Sequence, residues 1–227
     1  ESSTFWVTTN PYGARFDHLK HILRYPYGCI EQTTSSTRPL LFADRLLGNV
    51  LPILANREEV GKRVQAGIDR IFSMQTGSGG FAYWPGGNEP NNWGTAYATH
   101  MLLDAKDAGW PVDGFGLSDA LRYIERELNA SDGGLVGLRN RYGYRRSLSA
   151  EVYMHYVAAR AGKGRKARLR TLRNTLIKQP GSQMKELTYI TTAALHLAGD
   201  HRHKAYLKTL DNSPIAADRT NRWDFYS

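Results

Sequence analysis

A chain of 227 residues, 41% of them hydrophobic, can bury a sizeable core in one or two domains, and its uniform texture favours one. No apolar run reaches the length of a membrane span, which excludes a transmembrane helix from this stretch, and a single cysteine excludes an internal disulfide. The net charge of +9 admits nucleic acid, anionic lipid or an acidic partner, but it concentrates between Arg139 and Arg173 with no nucleic-acid motif around it, so it reads as the solvated face of two helices and their loop.

In chain order, residues 1 to 14 are polar and turn-rich. Phe16, Leu19, Ile22 and Leu23 then recur at helical spacing and predict a short first helix that stops at Tyr25-Pro26, because the residue before a proline disfavours the α region. A second helix is expected from about Cys29 to Leu47, kinked where Pro39 removes a backbone donor. A third, roughly Arg57 to Met74, carries Val60, Val64, Ile68, Ile71 and Phe72 on one stripe. Gln75 to Gly80 reads as a flexible break, and Phe81-Ala82-Tyr83-Trp84 is too short and aromatic for a helix.

A helix from about Asn92 to Gly109 is expected to turn Trp93, Ala96, Tyr97, His100, Met101 and Leu103 inward. Ser118 predicts the cap of a helix over Asp119 to Asn129. After a long loop from Ala130 to Ser147, four more helices are read at Leu148–Ala161, Lys166–Ile177, Lys185–Leu197 and His201–Leu210. Strand signals are almost absent, so the chain is all-α with short connections. A weak internal repeat pairs Gly80-Phe81 and the helix at Trp93 with Gly134-Leu135 and the helix at Leu148, and repeated helical pairs imply a solenoid or a closed ring.

Chemistry concentrates at Tyr25-Pro26-Tyr27-Gly28-Cys29-Ile30-Glu31-Gln32-Thr33-Thr34-Ser35. Gly28 permits a sharp turn into the helix. A cysteine in the first helical turn meets unpaired N–H groups and the positive end of the dipole, which favours thiolate. Gln32, three residues on, is a neighbour on the same face. A thiolate held against a carboxamide away from water can displace ammonia and leave an internal Cys-to-Gln thioester, an activated acyl donor for an incoming amine.

The whole string closely resembles the thioester motif of bacterial alpha-2-macroglobulins, relatives of the animal macroglobulins and complement components, in which Gly-Cys-x-Glu-Gln carries the bond. That resemblance implies Cys29 and Gln32 as the bonded pair, Gly28 and Glu31 as motif support, and an α/α toroid of helical hairpins in which the repeat closes on itself. It implies one thioester domain over residues 1–227, a piece of a larger multidomain protein. Because the family's domain normally continues for several more helices, the ring is expected to be incomplete at its C-terminal end.

By the same resemblance the domain belongs to a broad-spectrum endopeptidase inhibitor. A protease cleaves a bait segment elsewhere in the parent, and one of its lysines is captured covalently, once per molecule, so the domain is no enzyme in the turnover sense. Partners are then target proteases and other domains of the parent chain. The implied location is the periplasm, on an inner-membrane-anchored lipoprotein whose anchor lies outside this stretch, in a role of bacterial defence at the cell envelope. Tyr25 and Tyr27, two rings within four residues of Cys29, are placed to keep water from the bond. In complement relatives a histidine in a later loop opens the reaction to hydroxyls; the matching stretch, Asn129 to Ser147, has none, so direct attack by amines is expected.

Two other readings remain open from the residues alone. His100 or His155 could serve Cys29 as general base in a hydrolase or acyltransferase, or the thiol could be inert in an α-toroid whose basic face binds anionic partners. The histidine pairs His18/His21 and His201/His203 lack further ligands at a recognisable interval, so neither a metal nor a cofactor is expected. Tyr83, Trp84 and Trp93 could line a ligand pocket, though core packing and loop anchoring are the favoured roles.

Overall fold

The computed structural model describes residues 28–43, 56–130 and 147–212, with side chains up to residue 208. Among these residues there are seven α-helices: α1 (Ile30–Thr37), α2 (Arg57–Phe72), α3 (Asn92–Asp107), α4 (Gly114–Ala130), α5 (Leu148–Arg160), α6 (Lys166–Leu176) and α7 (Ser182–Leu197). Two 3₁₀ segments, Arg38–Phe42 and Lys204–Asn212, accompany them. The only β pairing among the described residues is two isolated bridges, Gln75 with Phe81 and Ala82 with Pro90.

The helices alternate between two roles. Helices α1, α3, α5 and α7 touch one another in succession, while α2 lies against α1, α4 against α3 and α5, and α6 against α7. This is the alternating inner and outer arrangement of an α/α toroid, as the resemblance implied. Burial follows it. Along outer α2 the buried positions are Val60, Val64, Gly67, Ile68 and Ile71, a single stripe, whereas inner α3 buries Ala98, Thr99, His100, Met101 and Leu102 consecutively, so that every face is covered.

Local sequence sets the helix ends. Asn56 Oδ1 accepts from the N–H groups of Glu58 and Glu59 at 3.1 and 3.2 Å and starts α2, with acids in the first turn and Arg70 in the last. Asn91 does the same for α3, accepting from Gly94 N–H at 2.6 Å. The second predicted helix is shorter than expected: α1 ends at Thr37, and the kink at Pro39 takes the form of a tighter 3₁₀ turn with proline near its first position, where a missing N–H leaves no bond broken. Residues 44–47 of that prediction, and the predicted helix at Phe16 to Leu23, lie outside the described residues.

Three further expectations are corrected. Ser118 is not a cap: α4 starts at Gly114, and the Asp113 carboxylate accepts from Phe115 and Gly116 N–H at 3.0 and 3.1 Å. The stretch Gln75 to Gly80 is a bonded turn and no flexible break, with Thr76 N–H to Gly80 O at 2.9 Å and Gln75 Nε2 reaching both Gly79 O and Gly116 O. The last predicted helix is a 3₁₀ segment starting at Lys204.

The basic stretch is largely the solvated face expected, with Lys163, Arg165, Lys166 and Arg170 exposed, and several of its described members are paired as well. Lys163 meets Glu125 at 2.7 Å, Arg168 lies 3.8 Å from Glu151, and Arg170 and Arg202 together hold the Asp200 carboxyl well below the usual carboxylate range. Arg173 is buried, bonds Thr192 Oγ1 at 2.9 Å and lies over the Tyr206 ring. Arg139, Arg141, Arg145 and Arg146 fall outside the described residues.

Candidate thioester site

The site is built at the start of inner helix α1. Cys29 is its N-cap, with extended backbone (φ −73°, ψ 175°), and Cys29 and Gln32 form the reciprocal pair of a capping box. The firm arm of that pair is Cys29 N–H donating to Gln32 Oε1 at 3.1 Å. The first N–H of the helix itself, on Ile30, is taken by the Tyr83 carbonyl at 3.0 Å.

Gly28 fits this geometry for two reasons. Its φ of 125° lies in the region that L side chains rarely adopt, and a Cβ there would sit 2.4 Å from Gln32 Oε1 and 3.2 Å from Gln32 Cδ. The glycine therefore lies flat against the carboxamide. Its carbonyl is fixed from outer helix α2, where Arg70 Nη2 donates at 3.2 Å. Ile30, fully buried, anchors the turn against α3 at Gly94, where a Cβ would come within 2.6 Å of Ile30 Cγ2.

Cys29 is 3% exposed, while Gln32 is open to solvent. The thiol is thus sheltered and the carboxamide reachable. Beside them stands Tyr83, a neighbour of the Cys29 side chain, and its hydroxyl donates to Glu31 Oε2 at 3.5 Å. Those two neighbours, the thiol first and the Glu31 charge second, push the phenol up to about 12. Of the residues read from sequence, Cys29, Gln32, Gly28 and Glu31 are brought together; Tyr25 and Tyr27 lie outside the described residues.

From sequence, Tyr83 reads with Trp84 and Trp93 as core packing and loop anchoring, or as the lining of a ligand pocket. The structure corrects that: Tyr83, Trp84 and Trp93 are 40, 54 and 40% exposed, and the core aromatic of their loop is Phe81. No spacing rule links residue 83 to residue 29. The available signal was chemical, a tyrosine in a glycine-flanked loop whose neighbour Phe81 already supplies the anchor.

Of the two histidines weighed as bases, His100 is engaged elsewhere, and His155 is buried with its Nε2 unpartnered among the described residues. His100 Nδ1 bonds the Tyr153 hydroxyl at 2.9 Å and Nε2 faces Arg38 Nη2 at 3.1 Å; since the guanidinium can only donate, Nε2 accepts and Nδ1 carries the proton. Burial, helped by Arg38, pushes His100 down to about 4. Burial also pushes His155 down to about 4, with Arg168 and Arg165 adding to the effect. Neither faces the thiol in a catalytic pair. Among the described residues no three His, Cys, Asp or Glu side chains converge as metal ligands, and no helix is long and apolar enough to cross a membrane.

Comparison with known proteins bears on the same turn. Residues 7–136, which include the whole motif, match the family model of the A-macroglobulin TED domain. The chain belongs to the A-macroglobulin TED-domain family. Among curated relatives, an alpha-2-macroglobulin of Xylella fastidiosa is 33% identical over 193 residues, covering 81% of this chain and 11% of that protein. The alpha-2-macroglobulin of Escherichia coli is 34% identical over 113 residues, covering 48% of this chain and 7% of that one.

Among solved structures, Salmonella alpha-2-macroglobulin reacted with methylamine superposes with a TM-score of 0.66 at 29% identity, covering 89% of this chain and 13% of that one. Native E. coli alpha-2-macroglobulin from domain MG7 to the C-terminus gives 0.68 at 25% identity, covering 89% and 32%. The fold and the family are thus those of a thioester domain of bacterial alpha-2-macroglobulins, and the chain spans about a tenth of the length of the curated relatives it matches.

Proposed function

We propose that this TED domain stores an acyl group as a thioester between Cys29 and Gln32 and transfers it once to a lysine amine of an attacking protease. The observation that carries the reading is the Cys29 N–H held on Gln32 Oε1 at 3.1 Å. When Cys29 Sγ adds to Gln32 Cδ, negative charge develops on Oε1, where that donor is already aimed. Collapse of the adduct breaks the Cδ–N bond, ammonia leaves, and the acyl chain stays on sulfur. An amine then adds to the same carbon and the thiolate departs, leaving an amide and a free Cys29.

Burial of the sulfur beside an exposed Gln32 supports this sequence of events, because water is kept from one partner while an amine can approach the other. The relatives support it in their own terms: one structure is of a Salmonella protein reacted with methylamine, another of an E. coli protein activated by trypsin. With no histidine between Asn129 and Ser147, amines are the expected acceptors, in preference to hydroxyls. Bait cleavage, release of the domain and anchoring at the inner membrane of the periplasm belong to the full-length protein and are part of this proposal.

The decisive measurement is the intact mass of freshly purified protein. It is expected to fall one ammonia below the sequence mass, methylamine should add covalently and free one thiol, and Cys29→Ala should lose both responses. A full sequence mass with a free thiol and no methylamine uptake would overturn the reading.

A further inference from the structure

We infer that Arg70, on outer helix α2, is a positioning residue for the acyl transfer: it clamps and polarises the Gly28–Cys29 peptide, so that the Cys29 N–H stays aimed at the oxygen on which charge develops. This rests on the thioester reading above and assigns a part of its chemistry to a residue that the Gly-Cys-x-Glu-Gln string does not contain.

Both ends of one peptide unit are held. Arg70 Nη2 donates to Gly28 O at 3.2 Å, and Cys29 N–H donates to Gln32 Oε1 at 3.1 Å. A trans peptide is planar, with its C=O and N–H pointing opposite ways, so fixing the carbonyl fixes the direction of the N–H. Gly28 does not restrain the unit by itself, since a glycine at φ 125° changes conformation at little steric cost. Nor is there room for a side chain at residue 28 to do so, because its Cβ would sit 2.4 Å from Gln32 Oε1. The restraint has to come from outside the motif.

Helix α2 delivers it. Gly67, three residues before Arg70 and on the same face, lies close against Thr37 of α1, and the intervening Ile68 and the following Ile71 are buried in the core. Among the described residues Gly28 O is the one hydrogen-bond partner of the Arg70 guanidinium, whose Nε is buried without another. The adjacent carboxylate, Asp69, takes Gln65 Nε2 at 2.8 Å. An arginine in the last turn also suits the helix dipole, but that role asks only for positive charge near the final carbonyls. It does not account for a donor brought to a carbonyl 42 residues away in sequence.

The consequence is electrostatic. On closure Cys29 Sγ bonds to Gln32 Cδ and the carbonyl electron pair moves onto Oε1; the pair returns as the C–N bond breaks, and the thiol proton leaves with the nitrogen as ammonia. An amine opening the thioester puts charge on the same oxygen, and its proton ends on the departing sulfur. A charged donor on Gly28 O draws density from the peptide and makes its N–H a stronger donor. That N–H then gains more from the developing oxyanion than from the neutral carbonyl, which is what lowers the barrier. Arg70 acts through this peptide and not on the reacting atoms.

The test compares wild type, Arg70→Met and Arg70→Lys by intact mass, melting temperature and the rate at which methylamine releases the thiol. A fourth readout is the thioester carbonyl stretch, taken from the infrared difference before and after methylamine. Arg70→Met keeps an apolar stem and removes the charge and the donors, so it should melt like wild type. Its thiol release should slow by about 10-fold, less than the roughly 100-fold that loss of an oxyanion donor itself costs. Arg70→Lys returns a charged donor without the planar fork and should recover part of the rate. The stretch should rise in Arg70→Met, as the bond to Oε1 loosens, and fall part-way back in Arg70→Lys. A packing or dipole role would move the melting temperature and leave the stretch where it is in wild type.

A wild-type rate in Arg70→Met, or a slowed rate with the stretch unmoved, would overturn the positioning role. If Arg70→Met should fail to fold, Arg70→Lys decides by the same two readouts: slower release with a raised stretch upholds the role, and wild-type values overturn it. In each of these cases the mass deficit of wild type leaves the thioester reading standing. A wild-type chain with full mass and no methylamine uptake would sink both, and the two failures are thereby told apart.

Discussion

The inner and outer helices solve opposite packing problems with different residues. Outer helices α2 and α6 bury one stripe each, Val60, Val64, Ile68 and Ile71 in the first and Leu169, Leu172 and Leu176 in the second, and leave the rest charged. Inner helices α3 and α5 are covered all round, α7 buries a broad stripe through Leu187, Thr188, Thr191, Thr192, Ala194 and Leu195, and all three are rich in small residues. Several of the inner-layer hydroxyls bond a carbonyl of their own helix, as Thr34 bonds Ile30 O at 2.7 Å, Thr188 bonds Met184 O at 2.7 Å and Thr191 bonds Leu187 O at 2.8 Å, while Thr33, Thr37 and Thr99 are buried without a partner among the described residues. Polarity in the inner layer is therefore local and compact, and the candidate site sits at the start of an inner helix.

The largest consequence is expected on acidification. His100 and His155, both in inner helices, are buried and pushed to about 4 from an ordinary 6.5. Arg38, Asp104, Arg160, Tyr153 and Tyr156 face the first, Arg165 and Arg168 the second. The unfolded chain binds protons that the folded one refuses, so the stabilisation is complete above about 6.5 and is lost as pH falls toward about 4. Each histidine contributes a slope of about 1.4 kcal/mol per pH unit across that window. Urea unfolding between pH 7 and 4 measures it, and His155→Leu should flatten the slope by one histidine's share. An unchanged slope in that variant would mean that His155 titrates normally and that the inner layer is wetter than its burial indicates.

Next in size is the seam between layers. Outer Gly67 lies against inner Thr37 so closely that a Cβ would sit 2.1 Å from Thr37 Oγ1 and 2.8 Å from Thr37 Cβ. Gly67→Ala should cost about 1–3 kcal/mol through overpacking, despite the better helix propensity of alanine. Chemical denaturation of the variant reads this directly. A stabilised Gly67→Ala would show that α2 can retreat from α1 freely, and the rigid positioning of Arg70 on Gly28 O would go with it.

This division also explains what could be read from sequence. The outer stripe of α2 follows the 3.6-residue period, and its prediction matched to within two residues; inner α3 and α5 announced themselves as helices, but the inward face read for α3 was too narrow, since Ala98, Thr99 and Leu102 are buried beside Ala96, His100 and Met101. Trp93, taken as inward, lies at the surface. The start of α4 was missed because Gly114-Phe115-Gly116 reads as a break. Gly116 is there for packing, since a Cβ would meet Phe72 Cε1 at 2.6 Å, and Asp113 supplies the cap. At the site, Gly28, Cys29, Glu31 and Gln32 were legible because their relations are local, within one helical turn. Tyr83 was not, because its approach depends on how a loop 54 residues away is folded back, as in the Ile30 to Tyr83 backbone bond.

The smallest effect is expected on the outer face of α2, and it is the sharpest control. Lys62 Nζ lies 2.9 Å from Glu59 Oε1 and 3.1 Å from Glu58 Oε1, and these contacts raise the lysine and lower Glu59 from their ordinary values. Counted as ion pairs, they exceed anything at Gly67. All three side chains are exposed, however, so water and salt screen the attraction and ordering long side chains opposes it. Lys62→Ala should leave the melting temperature unchanged within the error of the scan at physiological salt, with any loss appearing only at low ionic strength. A loss as large as that of Gly67→Ala would mean that stability is carried by the charged outer surface as much as by the seam, and the contrast between the two layers would no longer account for where this domain tolerates change.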